Sequence, residues 1–239
     1  MMGSDDEPGV RRRDLLVMSG VAVAAAAPAV AQTPVAQTPV APSGFEPKPL
    51  PFDPKGVPGL SEALLRSHHD NNYVGAVKRL GAIKTEFASL DPATAPGYRL
   101  NGLKREELIA WNSMILHEVY FAGLTGGVAP SAALAQAVER DFGSLDRWAA
   151  EFSAMGKALG GGSGWVLLTW SPHDGRLVNT WASDHTQTLA GGTPLVALDM
   201  YEHAYQMDYG AKAGDYVNAV MKIISWKRAN EVFRKASAA

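Results

Sequence analysis

The chain contains 239 residues, of which 46% are hydrophobic and 19% are charged, a balance typical of a globular protein with a substantial core. Its formal net charge of −2 gives no strong basic field that would argue for nucleic acid, and the absence of cysteine excludes disulfides, zinc–thiolate sites and iron–sulfur clusters within the chain. Any bound metal would therefore depend on His, Asp or Glu. The chain has six histidines: His68, His69, His117, His173, His185 and His203.

The N-terminal segment has the layout of an export signal. Three arginines at residues 11–13 precede an apolar stretch at residues 17–30, and residues 29–31 form a small–x–small cleavage motif. The adjacent arginines, followed by a pair of leucines, resemble a twin-arginine signal. The apolar stretch is short for a permanent membrane span. We therefore predict a signal peptide over residues 1–31, a periplasmic or secreted protein, and no stable membrane span after cleavage; the alternative is an anchor that is never cut.

A proline-rich segment follows the predicted signal. Residues 31–40 contain the sequence AQTPV twice, and prolines continue as far as Pro58. Proline-rich sequence without apolar periodicity is typical of an extended tether. We predict a linker over residues 32–58.

The next part of the chain, residues 59–128, is predicted to be a helical-hairpin domain. Ser61 is a favourable N-cap, and apolar residues at mostly helical spacing predict one long helix from about residue 61 to 90. A break at residues 91–97 precedes a second helix, predicted at about residues 104–122. Two long helices joined by a short break favour an antiparallel hairpin.

The remaining residues, 129–239, are predicted to form an α/β domain. A glycine-rich run at residues 160–164 separates two short helices from β-prone segments. The predicted elements are two helices at about 130–138 and 145–155, and three strands at 165–170, 177–181 and 194–199. They are followed by a helix at about 216–225 and a final helix that ends near residue 235. The predicted fold class is therefore α+β, with an N-terminal α-helical hairpin followed by an α/β domain that contains a three-stranded antiparallel sheet.

The third predicted strand ends in a possible pair of metal ligands. Asp199 and His203 are four residues apart, so a carboxylate and an imidazole on one turn can meet one cation. Alone this spacing is weak evidence, and a surface ion pair at the start of a helix is the more common explanation. The longer sequence ALDMYEHAY at residues 197–205 resembles the D-x-[WY]-E-H-[AS]-Y signature of the iron/manganese superoxide dismutases. Tyr201 stands where that family usually has tryptophan.

Further segments resemble the same family, in the same order along the chain. They are SHH at 67–69, LHEVYF at 116–121, GSGW at 162–165, DYV at 215–217 and SW at 225–226. The resemblance spans about residues 59–235. It implies an enzyme that disproportionates superoxide, its substrate, to oxygen and hydrogen peroxide at one iron or manganese ion per subunit, and we favour iron.

The resemblance also implies a set of metal ligands. Carried over by position, they are His68, His117, Asp199 and His203. His69 is an alternative to His68, but a shift of one residue turns a side chain by about 100° round a helix, so both cannot coordinate. His68 lies at the family's spacing from the predicted N-cap, and we prefer it. For His117, the alternative is a hydrogen-bonded core histidine.

The chain departs from the family pattern at the predicted substrate funnel. Asn72 and Ala76 occupy positions where commoner members have His and Tyr. Tyr73 is nearby, in another helical register, and is retained as a candidate catalytic residue. The proton-delivering groups are therefore left open.

Other residues are assigned roles by the same resemblance. Most members have a Gln that hydrogen-bonds the metal-bound solvent, but Ser113 is too short for this role. His185 is the predicted partner of that solvent, with Gln187 as a less favoured substitute, and Trp165 is expected to wall the metal pocket. Glu202 is predicted to bond a ligand His of a partner subunit, which implies a symmetric homodimer.

Two other functions are compatible with parts of this pattern. A mononuclear iron oxygenase also uses two His and a carboxylate, but it needs open metal positions and a pocket for an organic substrate. A non-catalytic metal-binding relative would keep the ligands after losing the funnel residues. The four predicted ligands and a short funnel argue against the oxygenase, whereas a non-catalytic relative would look the same in sequence.

Overall fold

The structure is a computed structural model, and it describes residues 45–238. The predicted signal peptide at residues 1–31 and the first part of the predicted linker lie outside the described residues. Residues 45–61 contain no helix or strand, but they contact the fold, since the Lys48 N–H donates to the Tyr73 hydroxyl at 2.9 Å. No helix in the described part of the chain has the length and hydrophobicity needed to cross a membrane.

The first predicted helix consists of three consecutive segments. They are α1 (Glu62–Ser67), a π-helical segment (His68–Tyr73) and α2 (Val74–Ala88). The predicted N-cap is confirmed, because Ser61 Oγ accepts a hydrogen bond from the Leu64 N–H at 3.1 Å. The π-helical segment was not predicted; such segments occur mostly as short interruptions of α-helices, often at functional sites.

The second long helix, α3, spans Gly97–Ala122 and begins before the predicted residue 104. Its first residues include two glycines and lack regular apolar spacing, so the pattern indicated only the later part. Two ion pairs, Glu86–Arg99 and Arg79–Glu106, join α2 to α3. Because residue numbers rise along one helix as they fall along the other, the pair is antiparallel, as predicted.

The sheet has three antiparallel strands, as predicted. Two helices precede it, α4 (Ala132–Phe142) and α5 (Leu145–Ala158), and serine caps both at their N-termini. The strands are β1 (Trp165–Ser171), β2 (Arg176–Ala182) and β3 (Thr193–Asp199), in the order β2-β1-β3. The register places Trp165, at the start of the fully buried central strand, opposite both Ala182 and Asp199. The same end of the sheet therefore carries all three residues.

Gly164 makes this register possible. Its φ of +137° is unfavourable for other residues, and a Cβ there would lie 2.1 Å from the carbonyl oxygen of Ala182. The glycine therefore allows the chain entering β1 to pass close to the end of β2.

The chain after β3 forms two short elements that were not predicted and two longer helices that were. They are a 3₁₀ turn (Glu202–Ala204), α6 (Gln206–Tyr209), α7 (Ala213–Lys222) and α8 (Lys227–Ala236). One buried cluster includes Leu64, Tyr120, Trp165 and Tyr216, so both predicted domains contribute to a common core. The proposed boundary between residues 128 and 129 stays a prediction.

Candidate metal centre

Four side chains predicted to be ligands converge on one point in the interior. His68 begins the π-helical segment, His117 lies in α3, Asp199 ends β3 and His203 lies in the following 3₁₀ turn. One possible ligand atom from each lies within 4.8 Å of the others. Three of the residues are buried, and the His203 side chain retains 25% exposure.

The cluster is centred on one carboxylate oxygen. Asp199 Oδ2 lies 3.1 Å from Nε2 of His68, 3.3 Å from Nε2 of His203 and 3.5 Å from Nε2 of His117. The other carboxylate oxygen, Oδ1, accepts the backbone N–H of Tyr201 at 2.9 Å. Oδ2 is therefore the oxygen directed towards the histidines.

The hydrogen bonding of His117 leaves one ring nitrogen available. Its Nδ1 lies 2.6 Å from the Ser113 carbonyl oxygen, which can only accept, so Nδ1 carries the proton. Nε2 is then an acceptor, and it is buried without a hydrogen-bond partner among the described residues. Such an orphaned acceptor, aimed at a cluster of possible ligands, is a chemical reason to expect a cation there. Nδ1 of His68 is the second buried side-chain atom without a partner.

The protonation states also suit a cation. Burial lowers the pKa of His68, and burial together with the neighbouring His68 lowers the pKa of His117 to about 3. Burial alone would raise the pKa of Asp199, but the hydrogen bonds from His203 and His68 outweigh it and hold that pKa well below its usual range. At neutral pH, His68 and His117 are neutral and Asp199 is ionised, as metal binding requires. Three imidazoles and one carboxylate fit a transition metal such as iron or manganese.

His69, the alternative first ligand, lies outside the cluster. Its Nε2 is 2.8 Å from the Lys48 carbonyl oxygen and its Nδ1 is 2.7 Å from Asp70 Oδ1. Both ring nitrogens are therefore engaged elsewhere, and the structure brings His68 to the site, as preferred from the sequence.

His185 lies beside the cluster and is held there by Trp165. The indole Nε1–H of Trp165 donates to His185 Nδ1 at 3.0 Å, and the ring centroids of His185 and His117 are 6.2 Å apart. Burial lowers the pKa of His185, so its ring is neutral at pH 7 and the proton sits on Nε2. The other candidate, Gln187, has its side-chain oxygen bonded to the backbone N–H and hydroxyl of Ser183.

Tyr201 connects His185 to the cluster, a role that the sequence analysis missed. Its ring stacks on His185 at 4.8 Å and 11°, and on His203 at 5.4 Å and 14°. Burial raises the pKa of the Tyr201 hydroxyl to about 12, so it stays protonated. The sequence signal for this role is the aromatic position inside the D-x-[WY]-E-H motif. That position places a flat ring two residues from each of the two predicted ligands in the motif.

A cavity of about 270 Å³ between α2 and α3 leads towards His185. Asn72, Ala76 and Ser113 line it with His185. The predicted funnel positions therefore do face a cavity, and small or uncharged side chains occupy them.

Tyr73 is not directed into this cavity. Its hydroxyl donates to Glu118 at 3.1 Å and accepts from the Lys48 N–H, and these residues line a different cavity of about 240 Å³. The structure therefore does not bring Tyr73 to the candidate centre. Glu202 is exposed and makes no side-chain hydrogen bond within the described part of the chain.

The fold and the cluster define an α+β metalloprotein with a three-histidine, one-aspartate centre. Residues 130–232 match the family model described as "Iron/manganese superoxide dismutases, C-terminal domain". The chain is 67% identical over 192 residues to "Superoxide dismutase [Fe]" of Cupriavidus metallidurans, an alignment covering 80% of this chain and 98% of that protein.

Two more distant relatives carry different metals in their names. The chain is 33% identical to "Superoxide dismutase [Mn] 1" of Halobacterium salinarum, covering 82% of this chain and 98% of that protein. It is 35% identical to "Superoxide dismutase [Fe]" of Aquifex pyrophilus, covering 77% and 88% respectively. The chain belongs to the iron/manganese superoxide dismutase family, as its motifs predicted.

Proposed function

We propose that this protein is a superoxide dismutase with one iron ion per subunit. The observation that carries the proposal is the convergence of His68, His117, Asp199 and His203 within 4.8 Å. The preference for iron over manganese is supported by the name of the relative with 67% identity. A redox-active metal held by these residues would supply the one-electron oxidation of one superoxide and the one-electron reduction of a second.

The residues around the cluster have separate tasks in this proposal. The cavity that reaches His185 admits a small anion, and Asn72 and Ala76 leave it open. Trp165 holds the His185 proton on Nε2, so this N–H can donate to a solvent molecule or to substrate in the cavity. Asn72 and Ala76 carry no titratable group, so these two residues do not supply the protons needed to form hydrogen peroxide.

The activity is tested on the purified protein after its metal content is measured. We expect iron near one per subunit, superoxide removal, and loss of both in His117→Gln, because that variant removes an inward-facing ring nitrogen. His173→Gln is the matched control, since His173 lies in an exposed turn. A protein that retains iron but does not remove superoxide would instead be a non-catalytic relative. Full activity in His117→Gln would refute the ligand assignment.

We also propose that the active form is a homodimer bridged by Glu202. This carboxylate is exposed and adjacent to His203, which is itself partly exposed. In a symmetric pair, each Glu202 would bond the partner's ligand histidine and orient it. Sedimentation should give twice the chain mass for the wild type and a shift towards monomer in Glu202→Ala. A wild-type monomer with full activity would refute the bridge.

We further propose that residues 1–31 direct twin-arginine export to the periplasm. The arginines at 11–13, the apolar stretch and the cleavage motif support this. Mass spectrometry of the exported protein is expected to find a chain beginning near Gln32. Replacing Arg12 and Arg13 by lysine should retain the protein in the cytoplasm, and undiminished export of that variant would exclude the twin-arginine route.

A further inference from the structure

Two buried tyrosines connect the backbone of Asp199 to the protein interior. The Tyr216 hydroxyl, on α7, donates to the Asp199 carbonyl oxygen at 2.8 Å and lies 3.2 Å from the hydroxyl of Tyr120, on α3. A carbonyl oxygen can only accept, and Tyr216 has a single O–H. The direction is therefore determined: Tyr120 donates to Tyr216, and Tyr216 donates to Asp199.

Both hydrogen bonds lie in the protein interior, so the loss of either one is costly. Tyr216 and Tyr120 are 0% and 1% exposed, so water cannot replace a lost partner at either hydroxyl. Leaving a buried acceptor such as the Asp199 carbonyl unsatisfied costs about 1–3 kcal/mol. In a chain of two hydrogen bonds, each also polarises the other.

The same pair contacts a second ligand. The Tyr120 ring packs on the His68 ring with centroids 5.1 Å apart and planes inclined at 36°. Tyr120 therefore touches His68 through its ring and supports Asp199 through its hydroxyl. These ligands come from the π-helical segment and from β3, which the two tyrosines link through α3 and α7.

We propose that Tyr216, supported by Tyr120, is a positioning residue that orients Asp199 for the metal. This inference rests on the proposed metal centre. The Asp199 backbone is held at its carbonyl by Tyr216, and its carboxylate is held at Oδ1 by the Tyr201 N–H. With both ends held, Oδ2 points at the three Nε2 atoms. Loss of the Tyr216 hydroxyl releases one of the two restraints.

The test compares metal release from Tyr216→Phe and from wild-type protein, using a chelator in excess. Removing a residue that orients a ligand typically weakens metal binding by 10–100-fold, so release should be faster by about that factor. Tyr205→Phe is the matched control. Tyr205 is equally buried, and its ring lies 5.5 Å from the Tyr216 ring, but its hydroxyl makes no hydrogen bond to Asp199. Release from this control should stay within about twofold of wild type.

A second variant and a spectroscopic measurement separate positioning from general destabilisation. In Tyr120→Phe, Tyr216 still donates to Asp199, so release should be accelerated less than in Tyr216→Phe. The electron paramagnetic resonance spectrum of the ferric protein should change in Tyr216→Phe but not in Tyr205→Phe. If Tyr216→Phe loses stability without metal but keeps the wild-type release rate and spectrum, Tyr216 is merely structural and the inference is wrong. If the wild-type protein binds neither iron nor manganese, the proposed function itself fails.

Discussion

The metal-free protein is expected to lose stability on mild acidification, because two clustered histidines are buried in the neutral form. Burial lowers the pKa of His117 to about 3 and also lowers that of His68, whereas both titrate near about 6.5 in an unfolded chain. As the pH falls below about 6.5, the unfolded state binds more protons than the folded state, so the free energy of unfolding decreases.

The size of the effect follows from the width of this pH window. One proton taken up on unfolding changes the free energy of unfolding by about 1.4 kcal/mol per pH unit. For His117, the window from about 6.5 down to about 3 corresponds to a total loss of about 5 kcal/mol. Asp199 has the same sign at lower pH, because its depressed pKa contributes stability that is lost only below about 3.8. Since domains are stable by about 5–15 kcal/mol, the His117 contribution alone is large.

Urea denaturation of the metal-free protein at several pH values between about 7.5 and about 4.5 measures this dependence. His117→Gln should reduce the slope of stability against pH by about 1.4 kcal/mol per unit, because its side chain does not titrate. His173→Gln replaces an exposed histidine and should leave most of the wild-type slope in place. Equal slopes in wild type and His117→Gln would refute the conclusion that His117 is buried in its neutral form.

Three further variants test the elements around the site. Gly164→Ala should lower the free energy of unfolding by roughly 3–5 kcal/mol, through backbone strain and steric overlap with Ala182. Gly161→Ala is the control: Gly161 has a φ of +81° with open space around it, so this change should lower the free energy of unfolding by only about 1 kcal/mol. Equal losses in the two variants would contradict the close approach at Gly164. Trp165→Phe should keep its metal but remove superoxide about tenfold more slowly, because His185 loses the hydrogen-bond donor that fixes its proton on Nε2. An unchanged rate would exclude a role of Trp165 in setting the His185 tautomer. Ser61→Ala should cost about 1 kcal/mol in urea denaturation through loss of the N-cap, and an unchanged midpoint would contradict it.

The sequence predicted the elements of this fold well where hydrophobic periodicity was regular. The three strands and their antiparallel pairing were predicted, because apolar β-prone runs were separated by clear turns. The start of α3 was placed too late, because residues 97–103 have no apolar repeat. The π-helical segment at His68–Tyr73 also left no recognisable pattern. Whether a turn of helix takes up the extra residue of a π-helical segment depends on the packing of the side chains at that turn.

For the site, motif position predicted which residues come together, but not how they are held. His68, His117, Asp199 and His203 converge as the motifs indicated, because each motif reports a ligand and its neighbours. The hydrogen bonds that orient them depend on tertiary contacts instead. Tyr216 reaches the Asp199 carbonyl from a different helix, and neither residue's local sequence contains that information.

Asp199 is restrained at its backbone and at its side chain. Its position is set by pairing with Trp165 across the sheet and by hydrogen bonds at its carbonyl and at Oδ1. These restraints direct the carboxylate oxygen Oδ2 towards the three histidines, and the imidazole–carboxylate contacts hold the cluster together.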